Sequence, residues 1–115
     1  MTRANDGDPH RAAGCAADPL MKLLAKEWTT HVIWALRTNG TSRFGVLRRS
    51  LPGNVSARVL SARLKELESA GIVERRELGD KLLHVEYSLS QAGLLIDADI
   101  LRLEGRLEAV RAVDA

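Results

Sequence analysis

Ser56-Ala57-Arg58-Val59-Leu60-Ser61-Ala62-Arg63-Leu64-Lys65-Glu66-Leu67-Glu68-Ser69-Ala70-Gly71 is the stretch whose reading decides the fold. Ser56 is a strong helix N-cap, and no Gly or Pro interrupts the chain until Gly71, which suits the position just past a helix end. At about 100° per residue, Val59, Leu60, Leu64 and Leu67 fall on one side. Arg58, Ser61, Ala62, Lys65 and Ser69 fall on the other. The pattern predicts a helix with a core face and a polar face, the first half of the latter basic and rich in small residues.

Working outward toward the N-terminus, Gly45 is placed to cap a helix from Val46 to about Ser50, ended by the turn Leu51-Pro52-Gly53-Asn54. Thr41 to Phe44 reads as a short extended piece. Before it, a helix from about Thr29 to Arg37 buries Val32, Ile33 and Leu36 and stops at Asn39-Gly40. Pro19 suits the first turn of a still earlier helix capped by Asp18, with Leu20, Leu23, Leu24 and Trp28 at helical spacing. Residues 1–17 read as a flexible tail, rich in Gly, Asp and Ala.

Beyond Gly71 the apolar period changes from 3.6 to 2. Ile72 to Leu78 and Lys81 to Leu89 read as two strands around Gly79-Asp80, a dipeptide suited to a two-residue hairpin turn. Ser90 then caps a last helix to about Val110, whose apolar residues cover more than one stripe. That excess is expected to pack against the helix's own domain and against a second copy of the chain, together with the Leu20–Trp28 helix. The order predicts an α+β fold, mainly α: a winged helix-turn-helix with a two-stranded wing and N- and C-terminal dimerisation helices, spanning residues 18–115.

Composition agrees with one soluble domain. The chain has 115 residues, 45% apolar and 28% charged. No apolar run approaches the roughly 18 residues that span a bilayer, and residues 1–17 lack the apolar core of a signal peptide. Cys15 is the one cysteine, so no internal disulfide forms; a cytoplasmic location and no membrane partner are expected. Net charge is only +2, but between Arg37 and Lys65 there are seven basic residues and no Asp or Glu. Such a segregated block is the electrostatic footprint of a face that binds a polyanion.

The major groove of DNA admits one helix, whose exposed N-terminal side chains then face base edges. Ser56, Ala57, Arg58, Ser61, Ala62 and Lys65 are the candidates on that helix, Arg58 for a bidentate contact to guanine and Lys65 for a phosphate. A plain solvated helix face is the competing reading. Arg63 lies beside Val59 on the wheel, so a structural role, pairing with Glu66 or capping a neighbouring element, competes with DNA contact there. Arg43, Arg48 and Arg49 suit backbone phosphates. In the wing, Arg75 and Arg76 alternate so that at most one touches DNA, and Lys81 at the tip is the minor-groove candidate.

No nucleophile–base pairing, phosphate-binding Gly loop or coherent carboxylate pair points to an enzyme, and no cofactor is expected. His10, His31 and His84 have no ligand-spaced partners for a metal. A winged helix used only for protein–protein contact is the alternative to DNA binding, and the acid-free basic block argues against it.

Phe44-Gly45-Val46-Leu47-Arg48-Arg49, Leu51-Pro52-Gly53, Val59 to Leu67 and Val85-Glu86-Tyr87-Ser88-Leu89, with Cys15 placed 13 residues before Trp28, resemble the HxlR family of bacterial and archaeal regulators. The resemblance runs from Cys15 to about Val110. It implies a dimeric winged-helix transcription factor, here expected to be a repressor, that binds double-stranded operator DNA. It also implies that Cys15 is a candidate sensor of a small-molecule oxidant or electrophile. The sequence departs from the family pattern at Ala25-Lys26-Glu27, where Gly-Gly-Lys is usual, and at Cys15-Ala16, usually Cys-Pro. It departs again at Val46, usually Glu, and at Leu82-Leu83, often a Pro pair in the wing.

Overall fold

A computed structural model describes residues 18–79 and 84–114. The tail expected over 1–17, with Cys15, and the expected wing tip, with Lys81, lie outside the described residues. Helix α1 covers residues 18–25, with Lys22 bridging to Asp18 one turn back. It is followed by α2 (Thr29–Asn39), β1 (Ser42–Arg43), α3 (Phe44–Ser50), α4 (Ala57–Ser69), β2 (Val73–Leu78), β3 (His84–Leu89) and α5 (Gln91–Asp114). This is the winged helix-turn-helix order, mainly helical with a small antiparallel sheet.

Two boundaries differ from expectation. Trp28 is not the last residue of the first helix but the N-cap of α2, with φ +76. The chain turns there through Lys26 N–H to Leu23 carbonyl and Thr29 N–H to Lys26 carbonyl bonds. A left-handed tryptophan is a strained choice, and packing holds it: a Cβ added to Gly53 would lie 3.3 Å from Trp28 Cη2. The Leu-Pro-Gly turn therefore seats Trp28 on its glycine. Helix α3 begins at Phe44 rather than after Gly45, with Arg43 in the cap position.

The sheet has three strands in the order β1-β3-β2, so the expected extended piece joins the wing's two strands. Val73 opposes Leu89 and Leu78 opposes His84. That register sets Leu78 opposite His84, whereas a two-residue Gly79-Asp80 turn would set it opposite Lys81. The reason is face matching. A two-residue link would set Val73 opposite Glu86, and one face would carry both an apolar and a charged row. Pairing Val73 with Leu89 and Arg75 with Tyr87 keeps one row inward, and needs an odd-numbered connection.

The core is aliphatic: Val32, Ile33, Leu36, Leu47, Leu51, Val55, Leu60, Leu64, Leu67, Ile72 and Val73 are buried. Leu60, Leu64 and Leu67 form the inward stripe of α4, while Val59 is half-buried at its edge. The end of α4 is a Schellman motif, with Gly71 N–H donating to Glu68 carbonyl (3.0 Å) and Ile72 N–H to Leu67 carbonyl (2.9 Å). Gly71 takes the left-handed conformation this requires, φ +80. Ser90 then fastens α5 to that turn. Its hydroxyl contacts the Gly71 and Ile72 carbonyls and accepts from Gly93 N–H at 3.0 Å. From Leu101 to Val113 every residue of α5 is exposed, Leu103, Leu107 and Val110 among them.

Candidate nucleic-acid interface

Helix α4 is aimed by its own ends. Ser56 Oγ accepts from Val59 N–H at 3.1 Å, which fixes the first turn. The buried stripe then fixes the rotation. Ala57, Arg58, Ser61 and Lys65 are exposed and Ala62 half-exposed, so the candidates expected on the polar face share one outward surface. No acidic residue interrupts that surface before Glu66.

Arg63 is placed apart from them. Its Nε donates to the Glu27 carbonyl (2.8 Å) and its Nη1 to Glu66 (3.1 Å), leaving the side chain 18% exposed. It ties α4 to the turn after α1, the structural alternative expected for it. Lys26 reaches the other oxygen of the same carboxylate. The Lys26 hydrogen bond holds the Glu66 carboxyl below its usual range; desolvation opposes it, and the charges of Lys26 and Arg63 and the Arg63 hydrogen bond add to it.

Arg48 is partly committed as well, its Nε donating to the Val55 carbonyl at 2.9 Å. That bond braces the turn between α3 and α4, and sets the approach to Ser56. Arg43 and Arg49 are exposed and form no ion pair among the described residues.

Arg75 stands on the sheet face that carries Val73 and Tyr87, just beyond the end of the core, and pairs with Glu77 at 2.8 Å. Hydrogen bonding to Glu77, and then to the Tyr87 phenol, raises its affinity for the proton above the ordinary guanidinium value. Arg76 falls on the other face, opposite Glu86. The alternation expected for the two arginines is present.

Arg43, Arg49 and Arg75 line one hollow of about 670 Å³ between α3 and the wing, together with Phe44, Gly45 and Tyr87. Sequence reasoning groups Arg43 and Arg49 with Arg48, sets Arg75 in the wing, and does not find the hollow they share or Tyr87 in its wall. The register of β3 against β1 and β2, which sets Tyr87 between Ser42 and Arg75, is a long-range feature with no local signature. Arg49 also lines a second hollow with Gly53, Asn54 and Val55, on the path to the N-cap of α4. From sequence, Asn54 is only a turn residue. Among the described residues no group of His, Cys, Asp and Glu could hold a metal ion, and no helix is long and apolar enough to cross a membrane.

Residues 23–110 match the family model for HxlR-like helix-turn-helix proteins. The uncharacterized HTH-type transcriptional regulator YvaP of Bacillus subtilis (strain 168) is 42% identical over 71 residues, 62% of this chain. The chain spans somewhat under two thirds of that relative's length, 64%. Among solved structures, diamide-treated YodB from B. subtilis superposes with a TM-score of 0.69 at 30% identity, covering 80% of this chain and 89% of that one. The redox regulator HypR in its reduced form gives 0.69 at 28% identity, covering 85% and 95%.

Proposed function

Because the chain belongs to the HxlR-like helix-turn-helix family, we propose that it is a sequence-specific regulator of transcription that binds double-stranded operator DNA as a homodimer and represses. The observation that carries this reading is the outward face of α4, where Arg58, Ser61, Ala62 and Lys65 lie together, free of acids, on a helix whose rotation the core fixes. In the major groove Arg58 reads a guanine edge and Lys65 meets a phosphate. Ser56 and Ala57, at the helix start, face the backbone. Arg48 contributes less than its neighbours, one of its donors being spent on Val55. Arg63 contributes through the fold, and Lys81 through the wing tip.

The dimer is supported by the exposed apolar residues of α5 and by Leu20 and Met21 on α1. Leu103, Leu107 and Val110 follow at helical spacing on a half of α5 that nothing among the described residues covers. Two-fold symmetry then asks for a pseudo-palindromic site with half-site centres about one helical turn apart.

Cys15 is the residue through which an oxidant or electrophile acts, a reading supported by the diamide-treated form of YodB and the redox regulator HypR among the structural neighbours. The test of the whole reading is a gel-shift titration against the DNA upstream of the protein's own gene, with light scattering on the same preparation. Saturable, salt-sensitive binding by a dimer is expected. A monomer that ignores duplex DNA would instead favour a winged helix used for protein–protein contact.

A further inference from the structure

We propose that the hollow between α2 and α5 is a binding site for a compact organic cation, an ammonium group on a one-ring apolar body. Such a site goes beyond the DNA-binding reading and stands without it. Two helix faces of the same spacing build the hollow. Thr30, Ile33, Trp34 and Arg37 line it from α2, at i, i+3, i+4 and i+7. Asp97, Ile100, Leu101 and Glu104 line it from α5 at the same intervals. Each set is one stripe of its helix, with an apolar pair between two polar ends.

The ends differ in charge. Arg37, last in one stripe, meets Asp97, first in the other, and the two charges offset each other. Glu104 ends the α5 stripe away from that pair, and it forms no ion pair among the described residues. The hollow therefore holds one uncompensated carboxylate, and a cation is the ligand charge that matches it. Between the ends the wall is apolar. Ile33 is buried and Ile100 half-buried, whereas Trp34 stays 42% exposed. An indole is the best aromatic face for a cation. The volume, about 190 Å³, suits a single ring, since a cavity of about 150 Å³ takes benzene.

A second copy of the chain is the rival occupant. The exposed row offered to it, Leu103, Leu107 and Val110, lies about 100° around α5 from the stripe of Asp97 to Glu104. The hollow thus opens on a different side of the helix from that row. Because α2 packs against α4 as well as α5, the site is one element removed from the outward face of α4.

Isothermal titration calorimetry of the full chain compares three probes of similar shape: 2-phenylethylammonium, 2-phenylethanol and 3-phenylpropanoate. The expected result is saturable binding of the ammonium, one per chain, with the alcohol and the carboxylate each weaker by about fivefold or more. Glu104→Gln should weaken the ammonium about fivefold, the scale of one exposed ion pair, and leave the alcohol unchanged. Trp34→Leu keeps an apolar wall and should weaken the ammonium about threefold through loss of the ring face. Both side chains are exposed, so neither change reaches the core, and circular dichroism verifies folding. In nitrogen-edited NMR spectra the Trp34 indole N–H, identified by its absence in W34L, should shift with the ammonium.

No saturable binding of the ammonium, equal affinity for the alcohol, or a preference for the carboxylate overturns the site. So does an ammonium affinity that Glu104→Gln leaves unchanged, or a Trp34 signal that stays in place. Affinity that falls as protein concentration rises gives the hollow to a second copy of the chain, and overturns the site as well. DNA takes no part in these titrations. A failure here leaves the DNA-binding reading standing, and a failure to bind duplex leaves the cation site standing.

Discussion

Arg37 on α2 and Asp97 on α5 meet through a single nitrogen, with Nε 3.1 Å from Oδ1 and 3.0 Å from Oδ2. The carboxylate is 9% exposed and the guanidinium 36%, so the pair sits at the edge of the core. It fastens the long C-terminal helix to α2, which packs against α4. No local pattern in the sequence announces it, since 60 residues separate the partners.

Removing the cation strands the buried carboxylate. Arg37→Ala should cost about 1.5–3 kcal/mol, the range for hydrogen bonds to charged groups, and toward its lower end because Arg37 is partly solvated. Arg37→Ala combined with Asp97→Ala should recover part of that loss, because the orphaned charge is gone. Thermal melts check both. A single variant as stable as wild type would show that the pair is dispensable.

Two glycines of the same helix should respond with opposite sign. A Cβ on Gly93 collides with the backbone carbonyl of Ile72, which Ser90 N–H already engages at 2.9 Å and which cannot move aside alone. Gly93→Ala should destabilise by about 1–3 kcal/mol, as overpacking does. Gly105 meets nothing within 4 Å, so Gly105→Ala should stabilise by up to about 1 kcal/mol through helix propensity. Equal melting shifts in the two variants would contradict the close packing at Ile72.

The Glu66 carboxyl, held below its usual range by Lys26 and Arg63, links stability to acid. A lowered folded-state value means the unfolded chain binds the proton more readily. The contribution is therefore present above the ordinary carboxylate range, and is lost as pH falls through the folded value. Wild type should lose more stability between neutral pH and about pH 3 than Glu66→Gln does. Denaturant melts across that interval decide it, and parallel curves would show that Glu66 is not linked to folding.

Where the signal is local, the sequence is readable. Ser56, the Leu60, Leu64 and Leu67 stripe and Gly71 predict α4 to within a residue at either end, because cap, stripe and Schellman glycine all lie within the helix or beside it. Ser90 announces α5 in the same way. The hairpin link misleads because Gly79-Asp80 is a good local turn, while the register answers to the burial of Val73 and Leu89. Trp28 has the spacing of α1, yet its backbone answers to Gly53, 25 residues on. Of the interface, the α4 face is legible. The grouping of Arg43, Arg49 and Arg75 is not, since it depends on how strands pair.

Oxidation at Cys15 should lower operator affinity. Diamide takes two electrons and two protons from a pair of thiols, and with one cysteine per chain the disulfide must join two chains or capture a small thiol. Wild-type protein treated with diamide should bind its operator more weakly, and dithiothreitol should restore it. Cys15→Ser should bind equally well with and without diamide. The same response in both proteins would remove Cys15 from the account.

The central claim, that the outward face of α4 reads DNA, is tested most directly by one comparison of fluorescence-anisotropy titrations. Wild type, Arg58→Ala and Lys65→Ala are each titrated on the operator duplex and on a variant with the contacted base pair replaced. Lys65→Ala should weaken binding to both duplexes about equally. Arg58→Ala should lose roughly 1–3 kcal/mol on the operator and most of the discrimination between the two. If Arg58→Ala keeps both the affinity and the sequence preference of wild type, α4 does not read bases through this face.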